Sequence, residues 1–165
     1  MEQTFDGLIL HFLQDVYYAE RQVLKALPKM AKAAHNEQLR KAFMDHHAET
    51  QEQVERLQQV FESLGKRARG ITCEAINGLI EECEELLGEL KEPGPVRDAG
   101  LVACAQAVEH YEMARYGALI AWMKTGGHTQ GAELLAKTLE EEKKADTLLN
   151  QLASRVVNKE AAKAA

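Results

Sequence analysis

Apolar residues recur every three to four positions along almost the whole chain, the pattern of amphipathic helices. In the first segment the stripe is Phe5, Leu8, Ile9, Phe12, Leu13, Val16, Val23, Leu24, Leu27, Met30 and Ala34. It predicts a helix over 4–34 that kinks or drops a backbone bond at Pro28. After a very short turn, Asn36 is a fair N-cap for a second helix, with Leu39, Phe43, Leu57, Val60, Phe61 and Leu64 inward and Gly65 as its stop. Residues 66–96 break the rhythm. A basic loop from Lys66 to Gly70 leads to a shorter amphipathic helix over 73–90, which Glu92-Pro93-Gly94-Pro95 ends. A third long helix, over 96–124, turns Leu101, Val102, Ala105, Val108, Tyr116, Leu119, Ile120 and Met123 inward before Gly126 and Gly127. The last, over 129–157, buries Leu135, Leu139, Leu149, Leu152 and Val156, and the Ala/Lys tail beyond Asn158 is expected to fray.

Two tight helical hairpins, 4–64 and 96–157, joined by a crossover over 65–96 predict an all-α fold. The topology is a ferritin-like four-helix bundle, a single domain over 1–165 whose long connection carries an extra short helix. Helices of about 28 residues are about 42 Å long, the usual reach of such bundles. Composition agrees: Ala, Leu, Glu, Gln and Lys dominate, and aromatics are 5% of 165 residues. A net charge of −6 argues against general nucleic-acid binding. No stretch approaches the roughly 18 apolar residues of a membrane span. The beginning MEQTFDGLIL has no signal-peptide pattern, so a cytoplasmic location is expected. Cys73, Cys83 and Cys104 are widely spaced without a CxxC pair, and free thiols are the expectation.

Each long stripe is interrupted near mid-helix by polar residues in core positions. The first carries Glu20; the second His46, Glu49, Thr50 and Gln53; the third Glu109 and Glu112; the last Glu142 and Asp146. Residues three or four apart share a helix face, so His46, Glu49 and Gln53 point one way, as do the Glu109/Glu112 and Glu142/Asp146 pairs. Heights agree as well. Counted from the Asn36 turn and from Gly126, Glu20, Glu49, Glu109, Glu112 and Glu142 lie about 20–25 Å along their helices. Burying six carboxylates in one layer is costly unless they are protonated or bind metal. Carboxylate with at most one imidazole suits iron, manganese or zinc. Two ions are the natural number, with Glu49 and Glu142 as candidate bridges. Tyr17 and Tyr116, one turn from Glu20 and Glu112, are candidates for hydrogen-bonding the site, or otherwise for ordinary core packing. His110 and His47 are expected at the surface, and in Glu140-Glu141-Glu142 only Glu142 inward.

At these residues the chain resembles rubrerythrin-type ferritin-like proteins. There one helix gives Glu-x-x-Glu and the last gives Glu-x-x-x-His; here Glu109-x-x-Glu112 is present and Asp146 stands where the histidine would. More closely, it is similar to the YciE/YciF family of ferritin-like bacterial proteins. AERQVLKALPKM at 19–30, HHAETQEQ at 46–53, TCEAINGLIEE at 72–82 and RDAGLVACAQAVEHYEMARYG at 97–117 carry that likeness, which spans about 5–153. The resemblance implies a dinuclear metal site, frequent dimerisation and a link to bacterial stress. The ligand set it carries over is Glu20, Glu49, Glu109, Glu112, Glu142 and Asp146. Rubrerythrin-type sites also place a histidine three residues after the second-helix glutamate, where this chain has Glu52. His46 and Gln53, one turn to either side of Glu49, are the weaker candidates for completing the coordination.

Three functions follow as expectations. The first is an oxidoreductase with two metal ions per chain, iron before manganese or zinc, that oxidises ferrous iron or reduces oxygen or peroxide. It would draw on an external electron donor, because no rubredoxin-type cysteines are present. The second is a non-catalytic metal-binding or structural stress-associated bundle. The third is a helical interaction module whose acids are protonated or hydrated. A homodimer is the expected assembly, with no nucleic-acid or membrane partner.

Overall fold

The computed structural model describes residues 2–164. Helices α1 (Phe5–Ala33), α2 (Glu37–Ser63), α4 (Pro95–Thr125) and α5 (Thr129–Leu152) are the long ones; α3 (Glu74–Glu89) lies in the crossover. A π-helical turn, Ala153–Val157, leads into the short α6 (Asn158–Ala161). The ends follow local chemistry. Thr4 Oγ1 accepts from Gly7 N at 3.0 Å, and Asn36 Oδ1 accepts from Gln38 N and Leu39 N at 2.9 and 3.1 Å. Gly65 and Gly127, both at positive φ, close α2 and α4. Pro95 is not a breaker but the first residue of α4, where its missing N–H costs nothing. Pro28 sits within α1, which runs through it.

Neighbours in the bundle are α1 with α2, α2 with α5, α5 with α4 and α4 with α1. Asp98, at the start of α4, bonds the α1–α2 turn, and His128, before α5, meets Asp6 at the start of α1. All four neighbours are therefore antiparallel, and the α2-to-α4 link must climb the length of the bundle. It does so along the outside of α1: Ile71 N donates to Gln14 O at 3.3 Å, Tyr18 Oη to Asn77 Oδ1 at 3.1 Å, and Lys29 Nζ to Glu84 Oε1 at 3.0 Å. Helix α3 then closes the α1/α4 seam with Ile76 and Cys83, supported by Leu79, Ile80 and Leu87. The fold is the expected ferritin-like bundle with a helix in its crossover.

Two apolar clusters fill the interior. One, toward the α1–α2 turn, contains Val23, Leu27, Leu39, Phe43, Leu101 and Leu149. The other, toward the α4–α5 turn, contains Ile9, Leu13, Leu57, Phe61, Leu119 and Leu135. Each such side chain, fully buried, contributes about 2 kcal/mol. Phe5, read as part of the first stripe, is 42% exposed at the helix end. The tail does not fray at Asn158, since α6 packs on α4. The π turn inserts one residue per turn and shifts the face, so Val157 is buried where Val156 was expected.

Candidate metal centre

Between the two clusters lies a layer of buried polar side chains: Glu20, His46, Thr50, Gln53, Glu109, Glu112, Thr138 and Glu142. Helical periodicity places them there. Glu20 follows Val16 and precedes Val23 on the α1 stripe, and Glu109, Glu112 and Tyr116 continue the α4 stripe. One donor atom from each of His46, Glu109, Glu112 and Glu142 lies within 4.8 Å of the others, so three helices converge on one point. Glu20 joins from α1, fully buried, with its carboxylate accepting from Tyr116 Oη.

The layer is short of partners. Among the described residues eleven buried side-chain N and O atoms have no hydrogen bond, and nine belong to Glu20, His46, Gln53, Glu109, Glu112 and Glu142. Glu112 and Glu142 have both oxygens in that state. His46 Nε2 is 3.2 Å from Glu109 Oε1 and 3.7 Å from Glu142 Oε2, close for electrostatics but not aligned as hydrogen bonds. Buried polar atoms are normally bonded, so a concentration of this kind is a place that could hold a metal ion.

The electrostatics agree. Burial pushes Glu20 up to about 7, against the Tyr116 hydrogen bond and His46, which pull it down. Burial, then the neighbouring carboxylates, raises Glu112 well above the ordinary carboxyl range. Glu142 is raised by burial and Glu20, with His46 opposing. Burial alone would lower His46, but Glu109, Glu49 and Glu142 outweigh it and raise it well above its usual value. A metal-free layer therefore holds protons that metal would displace.

The structure brings together Glu20, His46, Glu109, Glu112 and Glu142. Glu49 stands at the rim, half exposed, with Oε2 3.6 Å from His46 Nδ1, and that contact pulls it below its usual value. Asp146 lies outside the four-donor group. It accepts from Gln106 Nε2 and Asn150 Nδ2, at 3.2 and 3.1 Å, and its Oδ1 is 3.3 Å from His110 Nε2. His46 thus sits closer to the centre than Asp146, the reverse of the weight that sequence gave them. Gln53 is fully buried beside the layer, and its amide donates to Glu141 Oε2 at 3.2 Å. Tyr116 does hydrogen-bond Glu20, whereas Tyr17 accepts from Gln58 Nε2 at 3.2 Å and packs on Phe61.

One functional neighbour escaped the sequence reading. Glu141, read as solvated, is clasped by Arg56 at 2.7 and 2.9 Å, and Arg56 also donates to Thr138 Oγ1 at 2.7 Å. Arg56 lies one turn from Gln53, and that spacing was the available signal. The clasp ties α2 to α5 beside Gln53 and Glu142.

The donor set fits a divalent or trivalent ion of intermediate hardness: carboxylates, one imidazole, and orphaned oxygens aimed at a common point. No described helix is long and apolar enough to cross a membrane.

Comparison with known proteins agrees with this architecture. The family model described as a domain of unknown function, DUF892, matches residues 4–162. The Escherichia coli K12 protein YciF is 46% identical over 160 residues, 96% of each chain. The crystal structure of the E. coli stress protein YciF superposes with a TM-score of 0.90 at 45% identity, covering 96% of this chain and 99% of that one. YcfI of Rhodopseudomonas palustris, described as a candidate structural protein, gives 0.87 at 52% identity over 90% and 94%. A Xanthomonas campestris protein at 22% identity shares the fold, with a TM-score of 0.72 over 93% and 94%. The chain belongs to the DUF892 family, as a relative of YciF along nearly its full length.

Proposed function

We propose that the buried layer is a dinuclear metal-carboxylate centre that oxidises ferrous iron, or reduces peroxide or oxygen, as part of a bacterial stress response. The observation that supports this most is the set of nine partnerless polar atoms in one layer between two dry clusters. Two redox-active ions, when bound, supply the electron pair that a peroxide consumes. The chain supplies the rest. His46, Glu109, Glu112 and Glu142 are the donors already gathered, and Glu20 is the further carboxylate, oriented by Tyr116. Glu142, with both oxygens free of partners, is the candidate bridge, and Glu49 at the rim is the second. The apolar clusters on either side keep water from the layer. An external electron donor and a homodimeric assembly belong to the same reading.

The test is ferrous oxidation with hydrogen peroxide, followed by absorbance under anaerobic mixing. Wild type should outpace the protein-free control by at least about tenfold, and Glu112→Ala should fall to the control. Equal rates for wild type and control would remove the catalytic reading.

One observation favours a second reading. Four donors within 4.8 Å make a complete set for one tetrahedral ion, and the R. palustris relative is described as a candidate structural protein. In that case a single zinc or iron fixes the bundle without turnover, and binding raises the melting temperature while peroxide is untouched.

A further inference from the structure

Beside the carboxylate layer, the cluster toward the α1–α2 turn is not filled. It holds a cavity of about 70 Å³ to which all five longer helices contribute. Leu27 comes from α1, Phe43 from α2, Leu87 from α3, Ala105 from α4 and Leu149 from α5. Protein interiors rarely leave a void larger than one water, because each lining atom then forgoes contacts on one side. Apart from two thiols, the polar side chains of the wall are of two kinds. Lys29 and Glu84 are exposed and bridged at 3.0 Å, on the solvent side, where α1 meets α3. His46 and Glu109, 7% and 3% exposed, are two of the four side chains whose donor atoms meet at the candidate metal centre. Both carry buried polar atoms without a hydrogen-bond partner. The cavity is therefore an apolar chamber with the centre at its inner wall.

We infer that this cavity seats the alkyl group of a small organic hydroperoxide, its peroxide end against the wall formed by His46 and Glu109, and that such hydroperoxides are the substrate class of the centre. The inference rests on the metal-centre reading proposed above and narrows it. The net change takes one hydroperoxide, two electrons and two protons to one alcohol and one water. The O–O bond breaks, the electron pair comes from the two redox-active ions of the proposed centre, the alkyl-bearing oxygen leaves as the alcohol and the other as water.

Size and lining set the class. At roughly 10–15 Å³ per water-sized group, the cavity has room for about five such groups. Dioxygen fills less than half of that, and a four-carbon alkyl group nearly all of it. Bare hydrogen peroxide would exchange its hydrogen bonds to water for contact with hydrocarbon, which is unfavourable, whereas every methyl or methylene placed there leaves water favourably.

The experiment reads binding apart from turnover. The metal-free full chain is titrated with tert-butanol, the alcohol that tert-butyl hydroperoxide leaves behind, and followed by amide NMR. Saturable shifts should appear at Leu27, Phe43, Ala105 and Leu149. Ala105→Ile fills the cavity from α4 and Leu87→Phe from the outlying α3, so the second still reports if the first folds poorly. Each should weaken tert-butanol binding at least about tenfold while loading iron as wild type does. With iron, wild type should favour tert-butyl hydroperoxide over hydrogen peroxide at least about tenfold in kcat/KM, and both variants should abolish that preference. Glu112→Ala should bind tert-butanol as wild type does even where it holds no iron, so a failed centre and a failed cavity are told apart. Absence of saturable shifts, shifts confined to other surfaces, wild-type binding in both filled variants, or a preference for hydrogen peroxide would overturn the inference. Saturable binding without turnover of either peroxide would overturn the substrate assignment through the centre rather than through the cavity.

Discussion

Among the described residues, buried charge is gathered in two regions, and the two treat it differently. At the α1–α2 turn, Asp98 accepts from His35 N and Asn36 N, both at 2.7 Å, and Arg97 donates to Lys91 O at 2.9 Å and Ala33 O at 2.6 Å. Apart from Arg97 Nε, each of these groups has a protein partner. In the carboxylate layer, nine atoms have none. The first arrangement uses charge to fix the chain: it pins the start of α4 against the hairpin and so sets the topology. The second leaves charge uncompensated, which stability alone does not explain. A satisfied buried charge serves the fold, and an unsatisfied cluster of this kind could hold a metal ion.

Substitution should separate the regions most sharply. Asp98→Ala strips two backbone amides of their acceptor and should cost about 3–5 kcal/mol in chemical denaturation. Glu112→Leu in the metal-free protein should cost nothing or stabilise, because it removes a buried carboxyl that has no partner. A large loss in Glu112→Leu would mean that the layer is structural after all.

Next in size is the response of the metal-free protein to pH. Glu20 holds its proton more tightly folded than unfolded. The stability this confers is complete below the ordinary carboxyl value of 4.5 and is lost as pH climbs through about 7. Glu112 and Glu142, also raised, act in the same direction, and so does His46. Melting between pH 5 and pH 8 should therefore show a falling midpoint, on the order of 3 kcal/mol from Glu20 alone. Metal should reverse the trend, because it needs the carboxylates ionised. A flat profile without metal would contradict the assignment.

Ligand removal comes third. Glu142→Ala should weaken metal binding at least about 100-fold in chelator competition. Asp98→Ala, as far as it folds, should bind as wild type does. The smallest effect belongs to Tyr116→Phe, which removes the hydroxyl that orients Glu20. It should retain metal and cost about 1 kcal/mol in the melt.

The fold was legible in the sequence because helical periodicity, Asn36, Gly65 and the Pro93-Gly94 break all act locally. The layer was legible because Glu20, Glu109, Glu112 and Glu142 interrupt apolar stripes near mid-helix. What was missed depends on side chains meeting across helices. Asp146 shares a face with Glu142 yet turns to Gln106 and His110 on α4. Glu141 is one residue off the buried face, and only Arg56, reaching from α2, draws it in. The latch of Arg97 and Asp98 has no periodic signature, since its partners lie more than 60 positions away at Ala33, His35 and Asn36. The π turn at 153–157 is likewise invisible to a 3.6-residue period.

The most direct measurement is the metal stoichiometry of the wild-type chain after anaerobic ferrous loading, read by elemental analysis beside Glu112→Ala. The account predicts about two irons per chain, lost or halved in the variant. No tightly held metal in either protein would contradict it, and the buried carboxylates would then have to be kept neutral by protons alone.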